Sequence, residues 1–562
     1  MKRLRASAAL LLALTVAVGA PVALAKDPPG QNPVKFVQIQ LLALNDFHGN
    51  LEPPAGSGGR IGATLAGGVE YLATHVQELR ATNPNTLFLS AGDMIGATPL
   101  LSALFHDEPT IEAFNLMGLD YNGVGNHEFD EGVDELLRMQ NGGCHPVDGC
   151  RDGDGFAGAE FDFLAANVKY KSNGETIFAP YDIVEMAGVK IGIIGMTLEQ
   201  TPSIVSPAGI SHVDFLDEAE TVNALVPELE KQGVKTIVVL LHQGGTTSDP
   251  LNESTINSCG TLEGPLPPIV EAFDEQVDVV ITGHTNWAVN CVIDGKVVTG
   301  AAHQGRLVTD IDLTINTRSG NVMAGRTLVN NRIVTRTVAK DPAQTALIAK
   351  YQAVAAPFAN RIIGTITADI LRAQNTAGES RLGDRIADAQ NFDAQQAGTG
   401  SQIAFMNAGG IRADLIYASS PAGEGDGNVT YGEAFAVQPF GNSLVTMTLT
   451  GAQIKALLEQ QFTGGIGILQ VSEGFSYTYT VSAPAGSKVS SIMLNGSPVD
   501  PATNYRVTVN SFLADGGDNY AVLVDGTNRI AGNVDTDAFE NYLLANPGGI
   551  TPGPQNRITR IE

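Results

Sequence analysis

Positive charge is scarce in this sequence: 33 Lys and Arg stand against 60 Asp and Glu, a formal net charge of −27. A surface so short of cations repels polyanions. It argues against nucleic-acid polymers as tight partners, while a local metal or cationic site can still hold a small phosphate. Long apolar runs are missing beyond the first 25 residues. No later stretch reaches the roughly eighteen apolar residues of a membrane span, and the tail PGPQNRITRIE carries no hydrophobic anchor. The start, MKRLRASAALLLALTVAVGAPVALAKD, has basic residues, an apolar run and Ala23-Leu24-Ala25, the small-x-small pattern that precedes signal-peptide cleavage. Residues 1–25 read as a signal peptide, and the product is expected to be secreted, periplasmic or extracellular. Cysteines are few and even in number, which suggests disulfides in an exported chain. Cys144 and Cys150 close the Gly-rich loop CHPVDGC, leaving Cys259 and Cys291 to pair. A zinc site at Cys144 and His145 is the rival, but the spacing fits no common zinc pattern.

A chain of 562 residues exceeds what one hydrophobic core usually serves, so two or more domains are expected. Residues 36–338 alternate strand-like runs such as TLFLSAGD, VKIGIIGMT, VKTIVVLLHQGG and VDVVITGHTN with helical runs such as GGVEYLATHVQELRAT, which predicts α/β layers. Residues 339–360 read as a linker helix. Asp341 is its N-cap, Pro342 its first residue and Gln344 its capping-box partner, with Leu347, Ile348, Tyr351, Val354 and Ala355 along one face. Residues 361–562 mix a further helix, ESRLGDRIADAQN, with strands and Gly/Pro-rich turns, a second mixed α/β domain.

Nearly every strand-like run of the first half stops at Asp, Asn or His. NDFHGN contributes Asp46 and His48, which leave an extended chain on the same side because side chains alternate. SAGDMIG contributes Asp93; GVGNHEFD contributes Asn126, His127 and Asp130; LLHQGG contributes His242; ITGHTNW contributes His284 and Asn286. Two divalent ions need about seven oxygen or imidazole ligands, one of them a bridging carboxylate. Four of the nine histidines fall in these clusters. His75, His106, His145 and His212 lie outside them and read as ordinary surface or packing residues, and His303 as a neighbour of the ligands.

The order D-x-H, G-D, G-N-H-E-x-D, H and G-H-x-N resembles the calcineurin-type metallophosphoesterases, and specifically the 5′-nucleotidase family, over nearly the whole chain. The resemblance implies a four-layer α/β/β/α catalytic domain and a C-terminal nucleotide-specificity domain. It also implies two divalent metal ions of the Zn, Mn or Co kind, the first held by Asp46, His48 and Asn286, the second by Asn126, His242 and His284, with Asp93 bridging. Some relatives have histidine or glutamine in place of Asn286. His127, paired with Asp130, would be catalytic and not a ligand, its imidazolium complementing the negative charge of the transferring phosphoryl group.

The second half carries FMNAGGIRADL, in which Asn407 is followed by the glycine pair Gly409 and Gly410, which allows close backbone approach, and by Arg412, which can fork onto phosphate oxygens. Phe440 in VQPFGN and Phe512 and Asp518 in NSFLADGGDNY match the family's base clamp and sugar contact. Relatives also place arginines near the start of this domain, with which Arg372 and Arg381 do not align cleanly. The expected function is hydrolysis of nucleoside 5′-monophosphates by in-line attack of water on phosphorus. The alternatives are a 2′,3′-cyclic-nucleotide 2′-phosphodiesterase with 3′-nucleotidase activity, a UDP-sugar hydrolase and, outside enzymes, a secreted nucleotide-binding protein or adhesin. The sequence leaves the metal, the base preference and the oligomeric state open.

Overall fold

Period-two alternation sends the strand Phe36–Leu44 into two cores at once. Ile39, Leu41 and Ala43 face a core shared with Ile191, Ile193, Val238, Leu240 and Val279, whereas Leu42 and Leu44 face helices on the other side. In the computed structural model, which describes residues 35–54, 56–205 and 209–562, this is the pattern of a four-layer α/β/β/α sandwich. The proposed signal peptide lies outside the described residues.

The first six-stranded sheet has the order Leu328–Ile333, Leu307–Asn316, Phe36–Leu44, Thr86–Ser90, Tyr121–Gly123, Asp162–Leu164; the second has Ala288–Ile293, Lys296–Ala301, Val277–Thr282, Thr236–His242, Val189–Thr197, Tyr181–Met186. The strand Thr236–His242 repeats the alternation. Val238 and Leu240 meet the first sheet, while Ile237, Val239 and Leu241 pack with Val222, Val226 and Leu229 of the helix Glu218–Lys231. Phe36–Leu44, Thr86–Ser90 and Tyr121–Gly123 run parallel, as do Thr236–His242 and Val277–Thr282. The loops that leave their C-terminal ends carry the candidate ligands, the usual place for a site in α/β sheets.

The helix Pro342–Ala359 is capped by Asp341, whose carboxylate accepts from the backbone N–H groups of Ala343 and Gln344. Gln344 does not complete a capping box; its amide donates instead to the carbonyl of Ala113 at 2.8 Å. Leu347, Ile348, Tyr351 and Ala355 are buried in the core of the first half with Val354 packed at its edge, so the linker is built into the first half for most of its length. Beyond it, a five-stranded and a four-stranded sheet form the second half with the helices Arg381–Gln396 and Gly451–Gln460. Both expected disulfides are formed, Cys144 to Cys150 and Cys259 to Cys291, which leaves no thiol for the rival zinc site.

Candidate metal centre

Asp46, His48, Asp93, Asn126 and His242 are buried where the strand ends converge, with His284 and Asn286 beside them. Asp46, His48, Asp93, His284 and Asn286 all have left-handed backbone, with φ between 47° and 70°. For residues other than glycine this costs about 1–3 kcal/mol each, and such strain gathers at functional sites. Surrounding bonds hold it in place. The N–H groups of Asp46 and His48 donate to the carbonyls of Gly92 and Asp93. Glu128 accepts from the backbone of Asp93, Met94 and Gly125, tying two ligand loops together. Glu128 was not singled out in the sequence; the only signal for it is its place inside the G-N-H-E-x-D motif.

Asp93 sits between the histidines. Its Oδ2 is 3.1 Å from His242 Nε2 and 3.8 Å from His48 Nε2, and its Oδ1 accepts from the His127 N–H. His48 Nδ1 and His242 Nδ1 lie 2.9 and 2.7 Å from the carbonyls of Gly96 and Ala91. A carbonyl can only accept, so these nitrogens carry the hydrogen and each Nε2 is turned into the site, the arrangement that orients an imidazole toward a metal. Asn126 Oδ1 lies 3.2 Å from His242 Nε2 and 2.9 Å from His284 Nδ1. Asn286 Oδ1 is buried without a hydrogen-bond partner, an acceptor left for a ligand.

Burial, and then the neighbouring Asp93, push Asp46 up to about 7, and burial pushes His48 and His284 down to about 3. Burial also opposes a proton on His242, but Asp93 holds that imidazole up at about 10. A divalent cation beside Asp93 would take the place of that proton. Oxygen and imidazole donors, an orphan amide oxygen and inward-facing lone pairs fit divalent metal ions.

His127 lies beside this group, its ring 5.0 Å from that of His48 and its Nδ1 2.9 Å from Asp130 Oδ2. Burial works against its proton, but Asp130 and Asp93 raise its pKa. The second half meets the first here. Phe440 stacks on His127 at 5.8 Å, and the Arg412 guanidinium lies 5.8 Å above the Phe440 ring. The charges that act on Arg412 include Asp93, Asp130 and Asp46 across the junction. Arg372 acts on Arg412, Arg306 and His303, whereas Arg381 turns away to the carbonyl of Gly553. Asn407 donates to Asp518 at 2.8 Å and accepts from Asn510 at 3.0 Å. A side chain at Gly410 would collide with Met406, while Gly409 is open toward Asn407 and Asp518. Phe512 lies over Gly517, and no ring contact joins it to Phe440 among the described residues.

The family model for calcineurin-like phosphoesterase matches residues 39–287, and that for the 5′-nucleotidase C-terminal domain matches residues 362–525. Cell wall protein Lmo0130 of Listeria monocytogenes is 31% identical over 563 residues, 95% of this chain and 70% of its own length. The chain belongs to the 5′-nucleotidase family. Membership makes it a phosphoric ester hydrolase of a metal-dependent fold. The 5′-nucleotidase precursor of Thermus thermophilus has the same fold, with a TM-score of 0.76 at 27% identity over 94% of this chain and 100% of that one. Endonuclease YhcR of Bacillus subtilis is 30% identical over 536 residues, 94% of this chain, but this chain spans only 41% of that protein's length.

Proposed function

We propose that this family member hydrolyses nucleoside 5′-monophosphates at a centre of two divalent ions, outside the cytoplasm. The observation that carries the reading is the meeting of two half-sites: the strained, buried ligand group with Asn286 Oδ1 unsatisfied, and Arg412 and Phe440 brought against His127 from the other half. Asp46, His48 and Asn286 would hold one ion, Asn126, His242 and His284 the other, with Asp93 between them. When bound, such ions polarise a phosphoryl group and its attacking water.

The chain's own groups do the rest. Arg412 faces the carboxylates of the centre and grips phosphate oxygens. His127, kept protonated by Asp130, presents its free ring nitrogen to the charge that develops on the transferring group and leaving oxygen. Phe440 and Phe512 take the base between them, and Asp518, oriented by Asn407, accepts from a ribose hydroxyl. The matched precursor from Thermus thermophilus is named for the same activity. The endonuclease name belongs to a protein more than half of which this chain does not span, and the formal charge of −27 opposes a polymer. Two formed disulfides support an exported protein.

Arg372 beside Arg412 supplies a second cation, which favours diphosphates such as UDP-sugars as the second reading. Phosphate release from AMP, 3′-AMP, 2′,3′-cyclic AMP and UDP-glucose, with metal-stripped protein as control, separates these readings. AMP is expected to give the highest kcat/KM. A preference for UDP-glucose would establish the second reading, and equal turnover without metal would remove the centre from the mechanism.

A further inference from the structure

His127 and Asp130 line a cavity of about 80 Å³ together with Pro439, Phe440, Glu131 and one more imidazole, His106. The sequence gives His106 no role, yet its surroundings are built. Its Nδ1 lies 2.8 Å from Glu131 Oε2 and its Nε2 2.9 Å from Asp148 Oδ2. Ionised carboxylates only accept, so both ring nitrogens carry hydrogen and His106 is an imidazolium. His145 stacks on it at 3.7 Å with the rings 13° from parallel, and its Nδ1 accepts from the Asp148 N–H at 3.1 Å. Arg151 holds Asp148 at 2.8 Å, and the Cys144–Cys150 disulfide closes the loop that carries His145 and Asp148. His106 is held in left-handed backbone, φ 51°.

We propose that His106 is a positioning residue for the reaction. It ties Glu131 to the disulfide loop and thereby fixes the neighbouring Asp130 against His127. The inference rests on the reading of His127 and Asp130 as the reactive pair. Glu131 follows Asp130 directly, and the short 3-10 turn His127–Phe129 leads into both. An exposed carboxylate at the end of such a turn would otherwise have no fixed place, and Asp130 would share its freedom. Burial of His106 opposes its charge, but Glu131 and Asp148 outweigh it and raise its pKa. The other charged groups around it are Glu135 and Glu108, both held by Arg138, together with Asp107, which accepts from Gly96 and Thr98. The donors of His106, Glu131 and His145 also have the spacing of a metal site. Nearly parallel rings 3.7 Å apart cannot both aim an in-plane lone pair at one ion, and both nitrogens of His106 are already engaged.

The test uses the full-length, metal-loaded protein with AMP. His106→Asn tolerates the left-handed backbone but cannot bridge both carboxylates; Glu131→Gln weakens the same link from an exposed position. Each is expected to lower kcat about tenfold, the effect of losing a partner that orients a functional group, with KM for AMP and metal content unchanged. Combined with Asp130→Asn, His106→Asn should add no further loss. Unchanged kcat in both single variants, a multiplicative loss in the double variant, or loss of bound metal from His106→Asn would each overturn the proposal. An Asp130→Asn variant with full activity would overturn both the proposal and the reading of the pair beneath it.

Discussion

The two sides of the site are built in opposite ways. On the metal side the proposed ligands are mostly buried, five stand in strained backbone, and they are fixed by hydrogen bonds to the carbonyls of Gly92, Gly96 and Ala91 and to the Glu128 carboxylate. On the proposed nucleotide side Arg412, Phe440 and Phe512 are only half-buried, and Phe440 and Arg412 meet the first half through a ring stack and the field of its carboxylates. Charge must be held at fixed points to stabilise a phosphoryl transition state, because reorganising it during reaction would forfeit the gain. A planar base needs only a face to lie on. Rigidity is therefore concentrated where charge is handled.

The sharpest way to break this contrast is to compare Asp93→Ala with His127→Ala. Asp93 lies between the histidines, so its loss is expected to empty the centre and lower activity by roughly a thousandfold or more. His127→Ala should keep its metals and lose roughly a hundredfold to a thousandfold in kcat. Elemental analysis of both variants decides the matter, and loss of both metals from His127→Ala would make His127 a ligand. On the other side, Phe440→Ala and Phe512→Ala should raise KM for AMP. A stacked base is worth about 1–3 kcal/mol, or about 5- to 150-fold, and p-nitrophenyl phosphate should be affected much less. Equal losses on both substrates would show that the rings support the fold and do not read the base.

A smaller effect should come from Asp518. Burial pushes its carboxyl up to about 6, above the ~3.9 of a free side chain. A carboxyl raised in the native state destabilises that state while ionised. The cost is present at neutral pH and relieved as pH falls through about 6. Ionised Asp518 is the better acceptor for a ribose hydroxyl, so KM for AMP should rise about two- to fivefold from pH 7 to pH 5. Asp518→Asn should flatten that rise, and a rise that persists in the variant would assign the dependence to another group.

What could be read from the chain follows the same division. The α/β layering was legible because strand-like apolar runs alternate with helical ones, while the four-layer order rested on the family resemblance; the candidate ligands were legible because each lies within four residues of the end of a strand, where local pattern and chemistry coincide. The His106 group was not legible. Its members come from the segment before the helix Glu108–Met117, from the His127 turn and from the disulfide loop, and only tertiary packing brings them together. The separation of Arg372 from Arg381 was hidden for a related reason: they lie on one short stretch, and the cap of the helix Arg381–Gln396 at Ser380 turns the second away. Gln344 had a local partner by motif and took a distant one, Ala113, because the helix Pro342–Ala359 packs against the helix Glu108–Met117.

That packing yields the smallest prediction, one that asks to which half the linker belongs. Asp341 accepts from the N–H groups of Ala343 and Gln344, and its other oxygen accepts from the Gln77 amide of the helix Val69–Arg80 at 2.8 Å. Its neighbour contacts reinforce the link, since the Asp341 N–H donates to the carbonyl of Glu70. Asp341→Ala keeps this backbone bond but removes the cap and the bridge to Gln77, a loss of about 0.5–2 kcal/mol. If the linker is part of the catalytic half, hydrogen exchange should quicken in the first turns of Pro342–Ala359 and the last turns of Val69–Arg80. The second half should be unaffected, as should metal content and kcat for AMP. Faster exchange in Arg381–Gln396 instead would mean that the helix is coupled to the nucleotide side, and that the rigid part of the molecule extends across the junction.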